Sequence, residues 1–317
     1  MTGETAEPSP SDSSDDRSTP PPNDAFQSLG NEIRTGILQT VATDGPSKFA
    51  TLAGQSDVET TAGFAYHLRQ LDGQFLRQRE DDRYELTGPG REVVQAMESG
   101  RFTTTADVDA IELDEHCPCC SEARLGMEIS DGVARVHCAA CASDILALSV
   151  PPGTALADEQ SIPGAIDDHH RRRIESFAAG RCPDCGGPVT RRVEQCTDGE
   201  TEPAALQAAF ECDNCRATLA CPPTHTVLDH PAVVSLYHDH GETIRDRPLW
   251  NVGSEWRERC LSTEPWCLLV STRLGDDVLD LYLSADCSVV THERRELSDT
   301  GDSAMAGTQE QNDDAAA

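Results

Sequence analysis

The chain has 317 residues, with 56 acidic against 25 basic side chains, a formal net charge of −31 and a mean hydropathy of −0.47. Its longest apolar runs, such as residues 267–270, fall far short of the ~20 residues that a bilayer needs, and no basic segment followed by an apolar one opens the chain. Composition therefore argues against a membrane-spanning or exported protein and for a cytoplasmic one of two or three small domains.

In chain order, residues 1–23 are rich in Ser, Pro, Thr and Asp and read as a disordered acidic tail. Residues 24–100 read as a helical unit with one hairpin. Phe26, Leu29, Ile33, Ile37, Leu38 and Val41 recur at three- and four-residue steps, which predicts one amphipathic helix opened by Asn23 or Asp24. Gly45-Pro46 ends it, and Ser47 is placed to cap a short second helix with Phe49, Leu52 and Ala53 inward. Ser56 and Glu59 stand at capping-box spacing before a third helix that carries Ala65, Leu68 and Leu71. Residues 75–79 and 83–86 predict two strands around the acidic turn Glu80-Asp81-Asp82. Pro89 opens a last helix with Val93, Val94 and Met97.

Residues 101–115 read as a polar connector and 116–150 as a first zinc ribbon. Residues 151–180 read as a linker and a short basic helix (169–179), and 181–221 as a second zinc ribbon. Residues 222–297 form a small α+β part with a helix at 231–240 and strands at 266–271 and 278–283. Residues 298–317 are a second disordered acidic tail. The fold class expected is α+β: an N-terminal winged helix-turn-helix, two zinc-ribbon-like modules and a small α/β C-terminal part.

The order of elements in 24–100 is that of a winged helix-turn-helix, whose third helix enters the major groove while the hairpin reaches flanking phosphates. The exposed polar groups of that helix are Thr60, Thr61, His67, Arg69 and Gln70, and the wing offers Arg77, Arg79 and Arg83. Residues 24–100 hold 12 acids and 7 bases, yet residues 60–79 hold Arg69, Arg77 and Arg79 against Asp72. Phosphate contact needs that local sign. The blander alternatives are that the wing arginines pair with residues 80–82 and that His67 packs or caps.

Three segments carry a family resemblance: Leu29-Gly30-Asn31-Glu32-Ile33-Arg34, then Gly63-Phe64-Ala65-Tyr66-His67-Leu68-Arg69-Gln70-Leu71, then Tyr84-Glu85-Leu86-Thr87. Together they resemble the ArsR-like winged-helix regulators of halophilic archaea, over about a quarter of the chain. The resemblance implies sequence-specific binding to double-stranded DNA, often as a homodimer, with the second segment on the recognition helix. It also implies a zinc-knuckle region after the winged helix, to which residues 116–297 are similar. Metal-sensing members carry paired cysteines within the helix-turn-helix; residues 24–100 contain none.

Of the 25 basic residues only Lys48 is lysine. Acid excess with lysine nearly absent suits a protein of concentrated salt, as in a halophilic archaeon, where repulsion between carboxylates is screened. Fourteen cysteines in a cytoplasmic chain point to metal ligands before disulfides. Cys117, Cys120, Cys138 and Cys141 form two C-x-x-C pairs, and Cys182, Cys185, Cys212 and Cys215 form two more. Each turn aims two thiolates at one ion, and two turns complete a tetrahedron; zinc, free of redox chemistry, suits it. Two structural zinc ions are expected, with disulfides, free thiols or an iron–sulfur cluster as the alternatives. Cys119 could exchange with a neighbour. His225, His230, His238 and His240 are a further ligand pool, although residues 231–240 also read as a packed helix. Arg171-Arg172-Arg173 reads as a solvated face paired with acids, with phosphate contact as its alternative.

No phosphate loop, dinucleotide fingerprint or H-E-x-x-H stretch appears, so no enzyme is expected. The expectation is a DNA-binding transcriptional regulator. The alternatives are a basal transcription component resembling archaeal transcription factor E alpha, which works with the transcription machinery but has one ribbon, and a zinc-ribbon adaptor for protein or RNA.

Overall fold

Gly30 divides the predicted first helix in two. In the computed structural model, which describes residues 21–104, 107–151, 153–154, 158–195, 206–253 and 255–297, α1 (Pro22–Leu29) ends at Gly30 and α2 (Glu32–Asp44) follows. Asn31 is extended, and its Oδ1 accepts the Ile33 amide at 3.1 Å, the bond that opens α2. Pro22 and Asn23, assigned to the tail by composition, are helical because proline at a first helical position forfeits no bond. Residues 1–20, most of the N-terminal acidic tail, lie outside the described residues, as do the C-terminal tail 298–317 and Cys196.

Two other predicted caps shift. Ser47 does not start a helix: with Lys48 it forms β1 (Ser47–Lys48), and α3 (Phe49–Gly54) follows. Thr60 rather than Ser56 opens α4 (Thr61–Leu71), its Oγ1 accepting the Gly63 amide at 3.1 Å. β2 (Leu76–Gln78) and β3 (Arg83–Leu86) form the hairpin, and β1 pairs with β3, giving an antiparallel sheet of order β1-β3-β2. Thr87 caps α5 (Gly88–Glu98) by accepting the Gly90 amide and donates its own hydroxyl to the Gln74 carbonyl at 2.6 Å. Gly90 is fixed by space: a Cβ there would lie 2.1 Å from the Phe75 carbonyl oxygen. Leu38, Phe64, Leu68, Leu71, Phe75 and Leu76 meet in one buried core, each side chain contributing roughly 1.5–3 kcal/mol of burial. This is the first of two compact units; the second is residues 105–317.

In the second unit β4 (Val108–His116), β5 (Arg124–Ser130), β6 (Val133–Cys138) and β7 (Asp144–Ser149) make an antiparallel sheet in chain order. β4 occupies most of the predicted connector. Of its nine residues only Leu113 is fully buried, so no apolar alternation marked it in the sequence. α6 (Ile162–Ala178) begins well before the predicted basic helix. Pro163 sits in its first turn, where no bond is lost, and the prolines of 151–168 therefore do not all belong to a linker. Ile162 and Ile166 of α6 join Leu125, Met127, Val136 and Trp250 in one core.

Its other end, Ile174 and Phe177, belongs to a second core shared by everything that follows. β8 (Val189–Gln195), β9 (Leu206–Cys212) and β10 (Thr218–Cys221) form a sheet of order β10-β9-β8. After α7 (Pro231–Asp239), β11 (Trp256–Thr263), β12 (Trp266–Leu274), β13 (Asp277–Leu283) and β14 (Val289–Glu296) form a four-stranded meander. Phe210 and Cys212 of one sheet, Leu236 and Tyr237 of α7, and Leu268 and Leu281 of the other are buried in this one cluster. Residues 181–221 and 222–297, which read as separate parts, thus share a core. The fold is mixed α+β with four antiparallel sheets. Among the described residues no helix is long and apolar enough to cross a membrane.

Candidate metal centres and nucleic-acid face

Four turns in the second unit repeat one local geometry. Each is a C-x-x-C followed by a residue in the left-handed region: Ser121 (φ +59°), Ala142 (+55°), Gly186 (+72°) and Arg216 (+63°). In three of them that residue donates its amide to the first cysteine's carbonyl: Ser121 to Cys117 at 2.9 Å, Gly186 to Cys182 at 2.9 Å and Arg216 to Cys212 at 3.0 Å. A non-glycine residue seldom adopts positive φ, so its recurrence in three of the four turns marks a conformation that the surroundings enforce.

The turns bring eight thiols into two quartets. Cys117, Cys120, Cys138 and Cys141 lie within 4.8 Å of one another, and so do Cys182, Cys185, Cys212 and Cys215. The shortest Sγ–Sγ distances are 3.7 Å (Cys117–Cys141), 3.8 Å (Cys120–Cys138), 3.6 Å (Cys182–Cys215) and 3.5 Å (Cys185–Cys212). A disulfide needs about 2 Å. Four thiolates at about 2.3 Å from a central ion stand about 3.8 Å apart, close to the spacing found here. The donor set therefore fits a tetrahedral metal ion at each quartet.

Local structure supports the sulfurs. The Cys119 amide donates to Cys117 Sγ at 3.3 Å, the Cys215 amide to Cys212 Sγ at 3.5 Å, and Asn214 Nδ2 to Cys185 Sγ at 3.6 Å. Gly187 leaves room for the second quartet: a Cβ there would stand 3.3 Å from Cys185 Sγ and 3.0 Å from Asn214 Cβ. The Gly187 amide, Asn214 and the neighbouring thiols bring Cys185 down to about 6. Cys215, despite the Ala217 amide, is pushed up to about 12 by the thiols of Cys185, Cys182 and Cys212 around it and by desolvation. Four adjacent sulfurs can all ionise only around a cation, which is what a metal supplies.

The other candidate ligands fall elsewhere. Cys119 is exposed and outside the quartet, whereas Cys221 and Cys287 are buried. His225 is buried in the second core region, His230 caps α7 by accepting the Ala232 amide, and His240 pairs with Asp277 at 3.0 Å. Among the described residues no histidine joins a metal-sized cluster. The Arg171–Arg173 run is taken up by acids: Arg171 by buried Asp167 at 2.7 Å, Arg172 by Asp168 at 3.9 Å and Arg173 by Asp184 at 2.7 Å. The first of these is no solvated face, since both partners are buried.

In the first unit α4 turns Phe64, Leu68 and Leu71 inward and leaves Thr61, Tyr66, Arg69 and Gln70 exposed. Arg69 has no acid partner among the described residues. Thr60 is exposed but spends its hydroxyl on the α4 cap. His67 is half-buried, with Nδ1 lacking a partner and its ring edge-on to Tyr66 at 5.4 Å. Tyr66 is 53% exposed. The sequence reading passed it over, although an aromatic at that helical step, off the apolar face, was the available signal.

On the hairpin, Arg77 pairs with Glu85 at 2.6 Å, Arg79 with Asp81 at 3.7 Å and Glu85 at 3.5 Å, and Arg83 with Asp81 at 3.5 Å. Glu85, which lies across the sheet from Arg77, does most of this pairing, rather than the turn acids alone. These are solvent-exposed pairs of roughly 0–1 kcal/mol, which a phosphate can displace.

A family model described as Domain of unknown function (DUF7351) matches residues 114–289. A second, described as Domain of unknown function (DUF7347), matches residues 22–97. No curated protein and no solved structure matches the chain.

Proposed function

Because the chain belongs to the family described as Domain of unknown function (DUF7351), a description that names no activity, we propose from its geometry that it is a DNA-binding transcriptional regulator with two structural zinc ions. One observation carries the DNA reading. α4 is seated on the core by Phe64, Leu68 and Leu71, lies next in the chain to the β2–β3 hairpin, and offers Thr61, Tyr66, Gln70 and an unpaired Arg69 to solvent. In this reading the first unit is a winged helix. Its α4 reads base edges in the major groove, Arg69 and Gln70 being the donors suited to purine edges. Arg77, Arg79 and Arg83 exchange their carboxylate partners for phosphates.

Zinc is assigned to Cys117, Cys120, Cys138 and Cys141 and to Cys182, Cys185, Cys212 and Cys215 because four thiolates on C-x-x-C knuckles with hairpin inserts are its structural ligand set. Such sites are closed, with no position for a substrate, which fits a binding protein rather than an enzyme. Zinc supplies folding free energy there, and the chain's own residues orient the sulfurs.

The paired wing arginines favour a second reading, a zinc-ribbon adaptor for protein or RNA. Chromatin immunoprecipitation with sequencing separates them. A regulator gives sharp peaks at a limited set of promoters; an adaptor gives none, and a basal component follows every transcribed promoter with the polymerase.

A further inference from the structure

Helix α6 carries a buried charge that its fold leaves incompletely bonded. Arg171 is 7% exposed, and a guanidinium offers five N–H groups in a fixed fork. Nε donates to Asp167 Oδ2 at 2.7 Å, and Nη2 donates to the Arg247 carbonyl. Nη1 has no partner among the described residues. Asp167 is already engaged on its other side, because Oδ1 accepts the Leu249 amide at 2.7 Å. A charged donor buried without an acceptor is costly, and a fold that retains one commonly has an acceptor to offer it.

Arg171 lines a pocket of about 260 Å³ within the second unit. Ile174, Leu228, Leu249 and Val289 supply apolar wall, and His225 adds an imidazole. Burial, with the Arg171 charge next, holds His225 down to about 4, so it stays neutral near pH 7 and adds no second positive charge. Glu175 and Asp229 also border the pocket; Asp229 is tied to Arg245 at 2.8 Å, which leaves Glu175 as a charge that disfavours multiply charged anions. An apolar cavity of about 150 Å³ holds benzene, so this pocket has room for roughly eight to ten heavy atoms.

We propose that this pocket binds a small monocarboxylate with an apolar body, its carboxylate accepting from Arg171 and its hydrocarbon part packing on Ile174, Leu228, Leu249 and Val289. The site is independent of the DNA reading, since ligand binding is measured directly. It combines what ligand sites combine: an apolar lining and one polar group that fixes orientation.

The probe is 4-methylpentanoate, titrated calorimetrically into the intact, metal-loaded chain at fixed ionic strength, with 4-methylpentanamide and sulfate in parallel. The carboxylate binds saturably, the neutral amide at least tenfold more weakly, and sulfate gives no heat. At ten times its Kd the carboxylate raises the melting temperature by roughly 3 °C. Arg171→Met abolishes the preference for the carboxylate. Because that variant disturbs a buried ion pair, Val289→Phe, which fills the pocket from its half-buried rim, is the second test: it weakens carboxylate binding at least tenfold while the far-ultraviolet spectrum is retained. No saturable carboxylate binding, equal binding of acid and amide, or wild-type affinity in a folded Val289→Phe chain overturns the proposal.

Discussion

Ser121 and Arg216 hold the same backbone turn in separate knuckles. Each follows the second cysteine of its C-x-x-C, at φ +59° and +63°, and each donates its amide to the first cysteine's carbonyl, at 2.9 and 3.0 Å. Gly186 does the same at +72° without side-chain strain. Left-handed backbone costs an L-residue about 1 kcal/mol, partly offset by glycine's greater freedom when unfolded. Ser121→Gly and Arg216→Gly therefore each stabilise the metal-loaded chain by about 0.5 kcal/mol, and Ser121→Val destabilises it by more than 1 kcal/mol. Denaturant melts of the three variants check the sign.

The second quartet shares its core with the C-terminal meander. Cys182 and Cys212 are buried with Phe210, Tyr237 and Leu268. Purified protein therefore contains two zinc ions per chain by elemental analysis, and Cys138→Ser and Cys212→Ser each contain one. In hydrogen exchange Cys212→Ser loosens β11–β14 as well as β8–β10, whereas Cys138→Ser acts on β4–β7. Neither alters protection in residues 21–104, which form their own compact unit.

The ion pair of Asp167 and Arg171 is buried on both sides, so removing one partner strands the other charge. Asp167→Ala also takes the acceptor from the Leu249 amide. It is expected to cost about 3–5 kcal/mol. The double variant Asp167→Leu with Arg171→Met recovers most of that loss, because two apolar side chains replace two compensated charges. A double-mutant cycle on urea melts measures both terms.

Acid sensitivity follows from His225. Burial first, and the Arg171 charge second, hold its imidazole down to about 4 from an ordinary 6.5. Below pH 6.5 the unfolded chain takes a proton that the folded chain refuses. Stability present above pH 6.5 is thus lost as pH falls toward about 4, by an amount on the order of 3 kcal/mol. Glu258, pushed up by burial against two Thr224 hydrogen bonds, contributes with the opposite sign and loses stability as pH rises. The difference between wild type and His225→Leu isolates the histidine. With metal saturating, the variant's stability falls less steeply between pH 6.5 and pH 4.

Spacing made the metal centres legible in the sequence, because a C-x-x-C turn determines geometry locally and needs no tertiary context. The helical unit was legible in outline for a similar reason: Phe64, Leu68 and Leu71 recur at helical steps. Other elements depend on context that a stripe of residues does not carry. Leu29 and Ile33 stay four apart across Gly30-Asn31, so the periodicity runs through a real break. β14 is exposed on both faces, so nothing alternates along it. Arg171 looked like its neighbours Arg172 and Arg173, yet α6 turns it inward onto Asp167, one turn earlier, which a charge count does not reveal.

The central claim is that α4 and the hairpin beside it bind a duplex. The direct measurement is a salt-matched mobility shift of the intact chain against a promoter fragment recovered by immunoprecipitation, comparing wild type with Arg69→Ala plus Arg79→Ala. Both positions are exposed, so the double variant melts as wild type does. It is expected to bind at least tenfold more weakly, with a salt dependence shallower by about one to two counterions. Unchanged affinity in the folded double variant contradicts the assignment.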